Sequence, residues 1–366
     1  MKKIIFIGSG IGRIKRGLEA HVEDLFNNMS CISKYEIILF KGAGRSKKKE
    51  KRIANFPRNS FAAKMLAFIT QRNSFEIQNI TFFIGMIPQL IKNEIRIIYL
   101  GEPVVCNLLL KWRKLTGQKF KIIFFTGGQT IPAYMGEKDI IHHVSPLCIG
   151  KATERGISGN NQLLIPHFLN ISEKGRNLSI EEKIKLRDEF KIPEDAFIIL
   201  SVGAIDCTVK RMDYLIEEVS DLRENIFLII LGEEETETKK VKTLAAKCFL
   251  KKNYRIKTLP RKETGKYYSL ADVFVLASLA EGFGMAYIEA LSYGIPVIAH
   301  DYPTARYVLK TEGCFTDLSI KGNLETAISE IIKNKSSIEK IHHRHQFVYE
   351  NYSWEKLKSD YINMFD

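Results

Sequence analysis

Short apolar runs alternate along this chain with longer stretches in which apolar positions recur every three or four residues. Runs of the first kind suit strands buried on both faces, and the second kind suits helices with one buried face. The alternation therefore predicts βα units around parallel sheets. In the first half, residues 3–8, 36–40, 95–100 and 121–126 read as strands, and 18–29 reads as a helix from the spacing of Leu18, Val22, Leu25, Phe26 and Met29. The pattern breaks over a connector at 165–176. It restarts with a polar helix at 179–190, where Ser179 with Glu182 three residues later makes a capping pair. From there strands at 197–202, 226–231, 255–258, 273–277 and 296–300 are separated by helices at 212–219, 237–248, 263–270 and 284–292.

This rhythm predicts an α/β protein of two consecutive Rossmann-like halves. A length of 366 residues suits two domains, each with its own core. The expected division is an N-terminal domain over 1–170, a C-terminal domain over 171–345, and a tail over 346–366 crossing back to the first. No run approaches the roughly 20 apolar residues of a membrane span; 81–90 is apolar but short, and it contains Pro88. Lys2 and Lys3 before Ile4–Ile5–Phe6–Ile7 have the outline of a leader peptide. That run is too short and ends in glycines, so a buried first strand is expected. The six cysteines include no C-x-x-C pair, which excludes a disulfide scaffold and fits small buried residues in a reducing cytoplasm.

The net charge of +13 is uneven. Residues 1–165 hold 26 basic against 11 acidic residues, and 166–366 hold 29 against 31. A field confined to the first half favours anionic partners: lipid headgroups, phosphate-bearing acceptors or nucleic acid. The run from Lys41 to Arg52 (KGAGRSKKKEKR) concentrates it, as a solvated, mobile loop suited to a membrane surface. No interleaving of aromatic and basic residues marks a nucleic-acid motif, so no nucleic acid is expected as a partner.

The sharpest chemical signal is SLAEGFGMAYIEA, residues 278–290, which follows an apolar strand and opens a helix. Ligands of open α/β sheets gather at the carboxyl ends of strands. Gly282 and Gly284 allow close backbone approach, and the amides from Phe283 through Met285 to Ala286 would attract a diphosphate. Glu281 precedes this helix and Glu289 lies roughly 7 Å along it. One carboxylate can meet groups beside the diphosphate while the other holds neighbouring sugar hydroxyls.

The stretch YYSLADVFVLASLAEGFGMAYIEALSYGIPVIA, residues 267–299, resembles the signature of glycosyltransferase family 4, retaining group 1 enzymes of the GT-B fold with a Glu-x7-Glu element. Other pieces agree in order. Ser201–Val202–Gly203 with Lys210–Arg211–Met212 resembles the donor-phosphate strand and basic loop, Leu164–Ile165–Pro166 the inter-domain connector, and Tyr352–Ser353–Trp354 the returning tail. The resemblance implies two Rossmann-like domains whose parallel sheets face an interdomain cleft, and a nucleotide-sugar donor bound in the C-terminal one. It implies that Glu289 binds the donor ribose, that Glu281 contacts the transferred sugar, and that Lys210, assisted by Arg211, neutralises the departing diphosphate. Gly17, Gly203, Phe283, Gly284 and Met285 complete the expected donor contacts.

Gly17 opens the first helix after the loop from Gly8 to Arg16, with Arg13, Lys15 and Arg16 as possible helpers. A rival reading takes Gly8-x-Gly10-x-Gly12 as a dinucleotide fingerprint. Arg13 stands where that fingerprint requires glycine, and the second strand ends Phe40–Lys41–Gly42 without an acidic residue for a ribose. The chain also departs from the family. Gly203–Ala204 replaces the usual glycine-arginine pair, and the acceptor-side histidine is missing where Phe125–Thr126–Gly127–Gly128–Gln129 stands. Gln129, His142 or His143 could take that place; for the two histidines ordinary strand roles compete.

No D-x-D pair or His/Cys cluster has ligand spacing, so neither a metal nor a cofactor is expected. The reading is a retaining, metal-independent hexosyltransferase, cytoplasmic and peripheral on the inner membrane face. Its acceptor would be a lipid-linked or phosphate-rich glycan in bacterial surface-polysaccharide assembly. The alternative is a basic module that binds membrane or nucleic acid on an inactive fold.

Overall fold

The computed structural model describes residues 2–14, 17–127, 138–175, 178–222, 224–250, 252–334 and 336–366. They form two units, residues 1–166 with Ser359–Asp366, and His167–Lys358. The divisions thus fall at 166/167 and 358/359 instead of 170/171 and 345/346, and residues 346–358 count with the second unit. The reason is local. The Leu169 amide donates to the Tyr352 carbonyl (2.7 Å), the Trp354 amide donates to the Leu169 carbonyl (2.9 Å), and Phe168 packs on Trp354 with ring centroids 4.9 Å apart. Entry into the second unit and exit from it are therefore tied together.

The first unit holds a seven-stranded sheet. Its strands are β1 (Lys2–Gly8), β2 (Tyr35–Lys41), β3 (Glu50–Arg52), β4 (Ile97–Leu100), β5 (Lys121–Thr126), β6 (Ile140–His143) and β7 (Gln162–Leu164). The order is β3-β2-β1-β4-β5-β6-β7 and every pair is parallel. The second sheet has six strands: β8 (Phe197–Val202), β9 (Ile226–Leu231), β10 (Tyr254–Lys257), β11 (Val273–Leu276), β12 (Val297–His300) and β13 (Gly313–Thr316). They run β10-β9-β8-β11-β12-β13, again all parallel. The expected α/β architecture of two Rossmann-like domains is therefore present.

Helices α1 (Gly17–Met29), α2 (Phe61–Ile69), α3 (Ser74–Lys92), α4 (Pro103–Thr116) and α5 (Leu147–Glu154) belong to the first unit. The second holds α6 (Ile180–Glu189), α7 (Met212–Ser220), α8 (Thr238–Cys248), α9 (Arg261–Tyr268), α10 (Met285–Ser292), α11 (Pro303–Leu309), α12 (Asn323–Lys333) and α13 (Ile338–Tyr352). The closing helix is α14 (Trp354–Phe365). No helix among the described residues is long and apolar enough to cross a membrane.

Each core follows from the apolar strand runs. In the first unit Ile5, Ile7, Ile98, Leu100, Ile122 and Phe124 pack against Phe82 and Met86 of α3 and Val105 and Leu109 of α4. In the second, Ile199, Leu228, Ile230, Val273 and Val275 pack against Leu215, Ile216 and Val219 of α7. The last residues of the sequence complete the first core. Tyr361, Met364 and Phe365 are buried, with Phe365 against Phe6 (5.6 Å between centroids) and Tyr99 (5.7 Å).

Both ends of the basic run lie in strands. Residues 50–52 pair with residues 39–41 as an edge strand, and Lys41 and Glu50 form a buried ion pair (2.5 Å). In both sheets the first strand has its successor on one side and a later strand on the other. The switch points that recruit ligands in such folds thus lie between β1 and β4 and between β8 and β11.

Candidate functional site

At the second switch point the chain leaves β8 through residues 203–211. A Cβ placed on Gly232 would lie 1.6 Å from the Gly203 carbonyl oxygen, so the turns after β8 and β9 meet with no room for a side chain. Asp206 shapes the loop: its Oδ1 accepts from the amides of Val209 (2.7 Å) and Lys210 (2.8 Å). The Lys210 stem lies across Gly203, and its ammonium pairs with the Glu281 carboxylate.

Arg211, expected as a phosphate-side helper, is held through its Nη1. It sits at φ +51 before α7, donates to the carbonyls of Leu318 (2.6 Å) and Ala277 (3.3 Å), and lies 4.3 Å over the Tyr214 ring. As placed, it ties the end of β11 to the segment after β13.

The run 278–290 supplies the opposite wall. Gly284 has φ +84, and a Cβ there would lie 2.3 Å from the Tyr287 ring, so glycine is required on two counts. The amides of Met285 and Ala286 open α10 and have no acceptor within it. The Phe283 side chain is buried edge-on against His167 (4.9 Å), which leaves its backbone as the group available to a ligand. Glu281 is fixed by Tyr302, whose hydroxyl accepts from the Glu281 amide (2.5 Å) and donates to its carbonyl (2.7 Å). Burial, and then the Glu281 charge, push the Tyr302 phenol well above its ordinary pKa, so it stays a neutral donor. Nearby, Ser278 Oγ and Tyr287 OH are buried with no hydrogen-bond partner among the described residues.

Glu289, on the inner part of α10, accepts from Arg261 (Oε1, 3.0 Å) and from the Tyr268 hydroxyl (Oε2, 3.1 Å). Tyr268 in turn stacks on Tyr293, with rings 5.5 Å apart and 13° from parallel. A carboxylate offers about four lone-pair directions. Two donors leave capacity for a pair of adjacent hydroxyls on an orientation already fixed. The sequence reading missed Arg261, Tyr268 and Tyr302. Arg261 opens α9 after β10 and Tyr302 follows β12, so both sit at the carboxyl end of a strand, the one signal that could have found them.

The first unit's switch point holds a buried polar cluster. Glu102 Oε1 accepts from the Ser9 amide (2.8 Å), Gln78 donates to Ser9 Oγ (3.0 Å), and the one Ser9 hydroxyl proton is shared between Glu102 Oε1 (2.5 Å) and Asn79 Oδ1 (2.8 Å). Burial pushes the Glu102 carboxyl from 4.5 up to about 7. Glu19 adds to the rise, and the Ser9 hydrogen bonds and Arg58 oppose it. A carboxyl raised on folding favours the folded state while protonated, so its contribution is full below about pH 4.5 and is lost as pH rises through about 7. The expected size is about 3 kcal/mol. Denaturant unfolding should therefore show wild type losing stability relative to Glu102→Gln between pH 5 and pH 8. A difference that does not change with pH would refute this.

Gly17 begins α1 exposed, and a Cβ there would meet nothing within 4 Å among the described residues. Arg13 donates to Asn55 (2.9 Å). Lys15, Arg16 and Gln129 lie outside the described residues. His142 and His143 are strand residues held within the sheet. His142 Nε2 donates to the Ile165 carbonyl (2.8 Å), which leaves Nδ1 to accept from the Tyr99 hydroxyl (3.0 Å). Tyr99 in turn meets His21 Nε2 at 3.0 Å. Burial lowers the His142 pKa to about 4, so it is neutral. His143 contacts Thr126 (3.2 Å) and Gln162 (3.0 Å).

Residues 182–354 match the family described as Glycosyl transferases group 1, and this span contains Lys210, Glu281 and Glu289. The alpha-galactosylglucosyldiacylglycerol synthase of Streptococcus pneumoniae is 24% identical over 254 residues, covering 67% of this chain and 66% of that protein. The curated relatives are matched over about half to two thirds of their own length. Among solved structures, sucrose-phosphate synthase from Thermosynechococcus elongatus superposes with a TM-score of 0.81 at 16% identity, covering 100% of this chain and 98% of that one. Anabaena Alr3699/HepE in complex with UDP and glucose gives 0.77 at 13% identity, covering 100% and 99%. At such identities the likeness is one of fold.

Proposed function

We propose that this chain, whose residues 182–354 match the group 1 glycosyltransferases, moves a hexose from a nucleotide-sugar donor to an acceptor hydroxyl with retention and without a metal. One observation carries the reading. Glu281 and Glu289 flank the start of α10, each already held by its own donors, with Lys210 beside the first and Arg261 beside the second. In this reading the donor diphosphate lies at the amides of Met285 and Ala286, Glu289 takes the ribose hydroxyls, and Glu281 orients the hexose. Lys210 shifts its charge onto the diphosphate as the sugar–phosphate bond breaks. The departing phosphate oxygen receives the acceptor proton on the face it leaves, which retains the configuration.

The basic first half supports a lipid-linked or phosphate-rich acceptor and a peripheral position on the cytoplasmic membrane face, with Lys41 to Arg52 contributing. The named activity of the pneumococcal diacylglycerol-glycoside synthase and the name of an O-antigen biosynthesis glycosyltransferase of Escherichia coli point the same way.

A thermal-shift panel of nucleoside diphosphates and nucleotide sugars tests the reading. A donor at 100 times its dissociation constant adds about 2.7 kcal/mol to stability, so one nucleotide series should raise the melting temperature by several degrees. No shift with any of them would leave a basic binding protein on this fold.

A further inference from the structure

Helix α2 buries Ala63 and Ala67 against Ile77 and turns its other side to solvent. Phe61 is 81% exposed, Met65 46%, Phe68 88% and Ile69 66%. These positions, i, i+4, i+7 and i+8, form one continuous stripe opposite the two alanines. Helix α3, on which α2 packs through Ile77, exposes further apolar side chains. Residues 51–58 run back along α3: Lys51 donates to Gln89 (2.5 Å), the Phe56 amide to Thr81 (3.0 Å) and the Arg58 amide to Gln78 (3.0 Å). Beside them α3 exposes Ile84 and Ile91, one face apart by two turns.

Charge decides what covers this surface. Residues 41–92 contain eleven Lys and Arg and two acids, Glu50 and Glu76. Glu50 is paired with Lys41, and Glu76 lies 3.9 Å from Arg72. A second copy docked through the same face would set like charge against like charge. A nucleic acid would match the charge but offers no apolar phase for Met65, Ile69, Ile84 and Ile91. An anionic bilayer supplies both.

We propose that α2 inserts the stripe of Phe61, Met65, Phe68 and Ile69 into the interfacial layer of an anionic lipid bilayer while the surrounding cations engage the headgroups. The proposal rests on the membrane part of the functional reading, and it makes α2, not the basic run, the element that enters the apolar layer.

The test is co-sedimentation of the full chain with phosphatidylglycerol/phosphatidylcholine vesicles and with phosphatidylcholine alone, at low and high salt. Wild type should bind the anionic vesicles and keep a fraction bound at high salt. F61S/F68S should lower partitioning on the order of tenfold at both salts, because the lost term is apolar. Its melting temperature and its nucleotide-sugar thermal shift should be unchanged. Phe68→Trp should show emission quenched by brominated lipid beyond that of wild type, which tests insertion without removing an apolar group. Three results would overturn the proposal: F61S/F68S binding as wild type, no binding of wild type to any vesicle, or a wild-type dimer by light scattering that F61S/F68S abolishes. Absence of a nucleotide-sugar shift in wild type would instead count against the transferase reading and leave the vesicle result standing.

Discussion

Glu289→Gln is expected to abolish the donor-dependent thermal shift and to lower donor affinity on the order of a hundredfold. The carboxylate would accept two hydroxyls of the ribose in charge-assisted hydrogen bonds, each contributing about 1.5–3 kcal/mol. Glutamine keeps the shape and one acceptor but turns an NH2 toward one of those hydroxyls or toward Arg261. It also keeps an acceptor for the Tyr268 hydroxyl, which is fully buried and otherwise loses its partner. Glu289→Ala therefore adds a stability loss of about 1–3 kcal/mol to the binding loss. Comparing the two variants separates the effects: both lose the donor shift, but only alanine lowers the melting temperature of the free protein. A glutamine variant with the full donor shift and full turnover would remove Glu289 from the site.

Lys210→Ala is expected to act on a different step. If the ammonium stabilises charge that develops on the leaving diphosphate, its removal should lower kcat by about 10² to 10³. The KM for donor should move far less, since the ground-state diphosphate keeps the amides at the start of α10. Single-turnover measurements read this split directly. Because Lys210 is paired with Glu281, whose side chain is only 12% exposed, the variant also leaves a carboxylate unpartnered. The double variant Lys210→Ala/Glu281→Gln should recover the stability lost in the single one without recovering kcat. Equal losses in kcat and in donor affinity would instead assign Lys210 to ground-state binding.

The second unit was more legible in the sequence than the first, for a physical reason. Its central strands are buried on both faces, so β9 appears as an unbroken apolar run and β8 as one interrupted only by Ser201, with ends that coincide with the strand ends. In the first unit, α3 buries Ile77, Phe82, Met86 and Leu90 at helical spacing, yet Pro88 lies within it and the apolar stretch around it was left without an assignment. Strand β3 consists of Glu50, Lys51 and Arg52, so hydrophobicity has nothing to detect. What orders it is the ladder to β2 and the buried Lys41–Glu50 pair.

The candidate site divides in the same way. Glu281 and Glu289 were legible because their spacing is set within one loop and one helix. Tyr302 reaches Glu281 from the end of β12, and Arg261 and Tyr268 reach Glu289 from the two ends of α9, 21 to 28 residues away, which no local pattern encodes. The engagement of Arg211 with the carbonyls of Ala277 and Leu318 was invisible for the same reason.

Tyr361, Met364 and Phe365 finish a core whose other members include Phe6 and Tyr99, near the beginning of the sequence. Domains usually fold in order as they leave the ribosome, N-terminal first. Here the first unit waits for Ser359–Asp366 to be made. Until then its sheet lacks Phe365 against Phe6 and Tyr361 against His142, while the second unit already has almost all of its own residues. The second unit is thus the first able to complete its fold during synthesis, and the basic first unit closes only once residues 359–366 have been made.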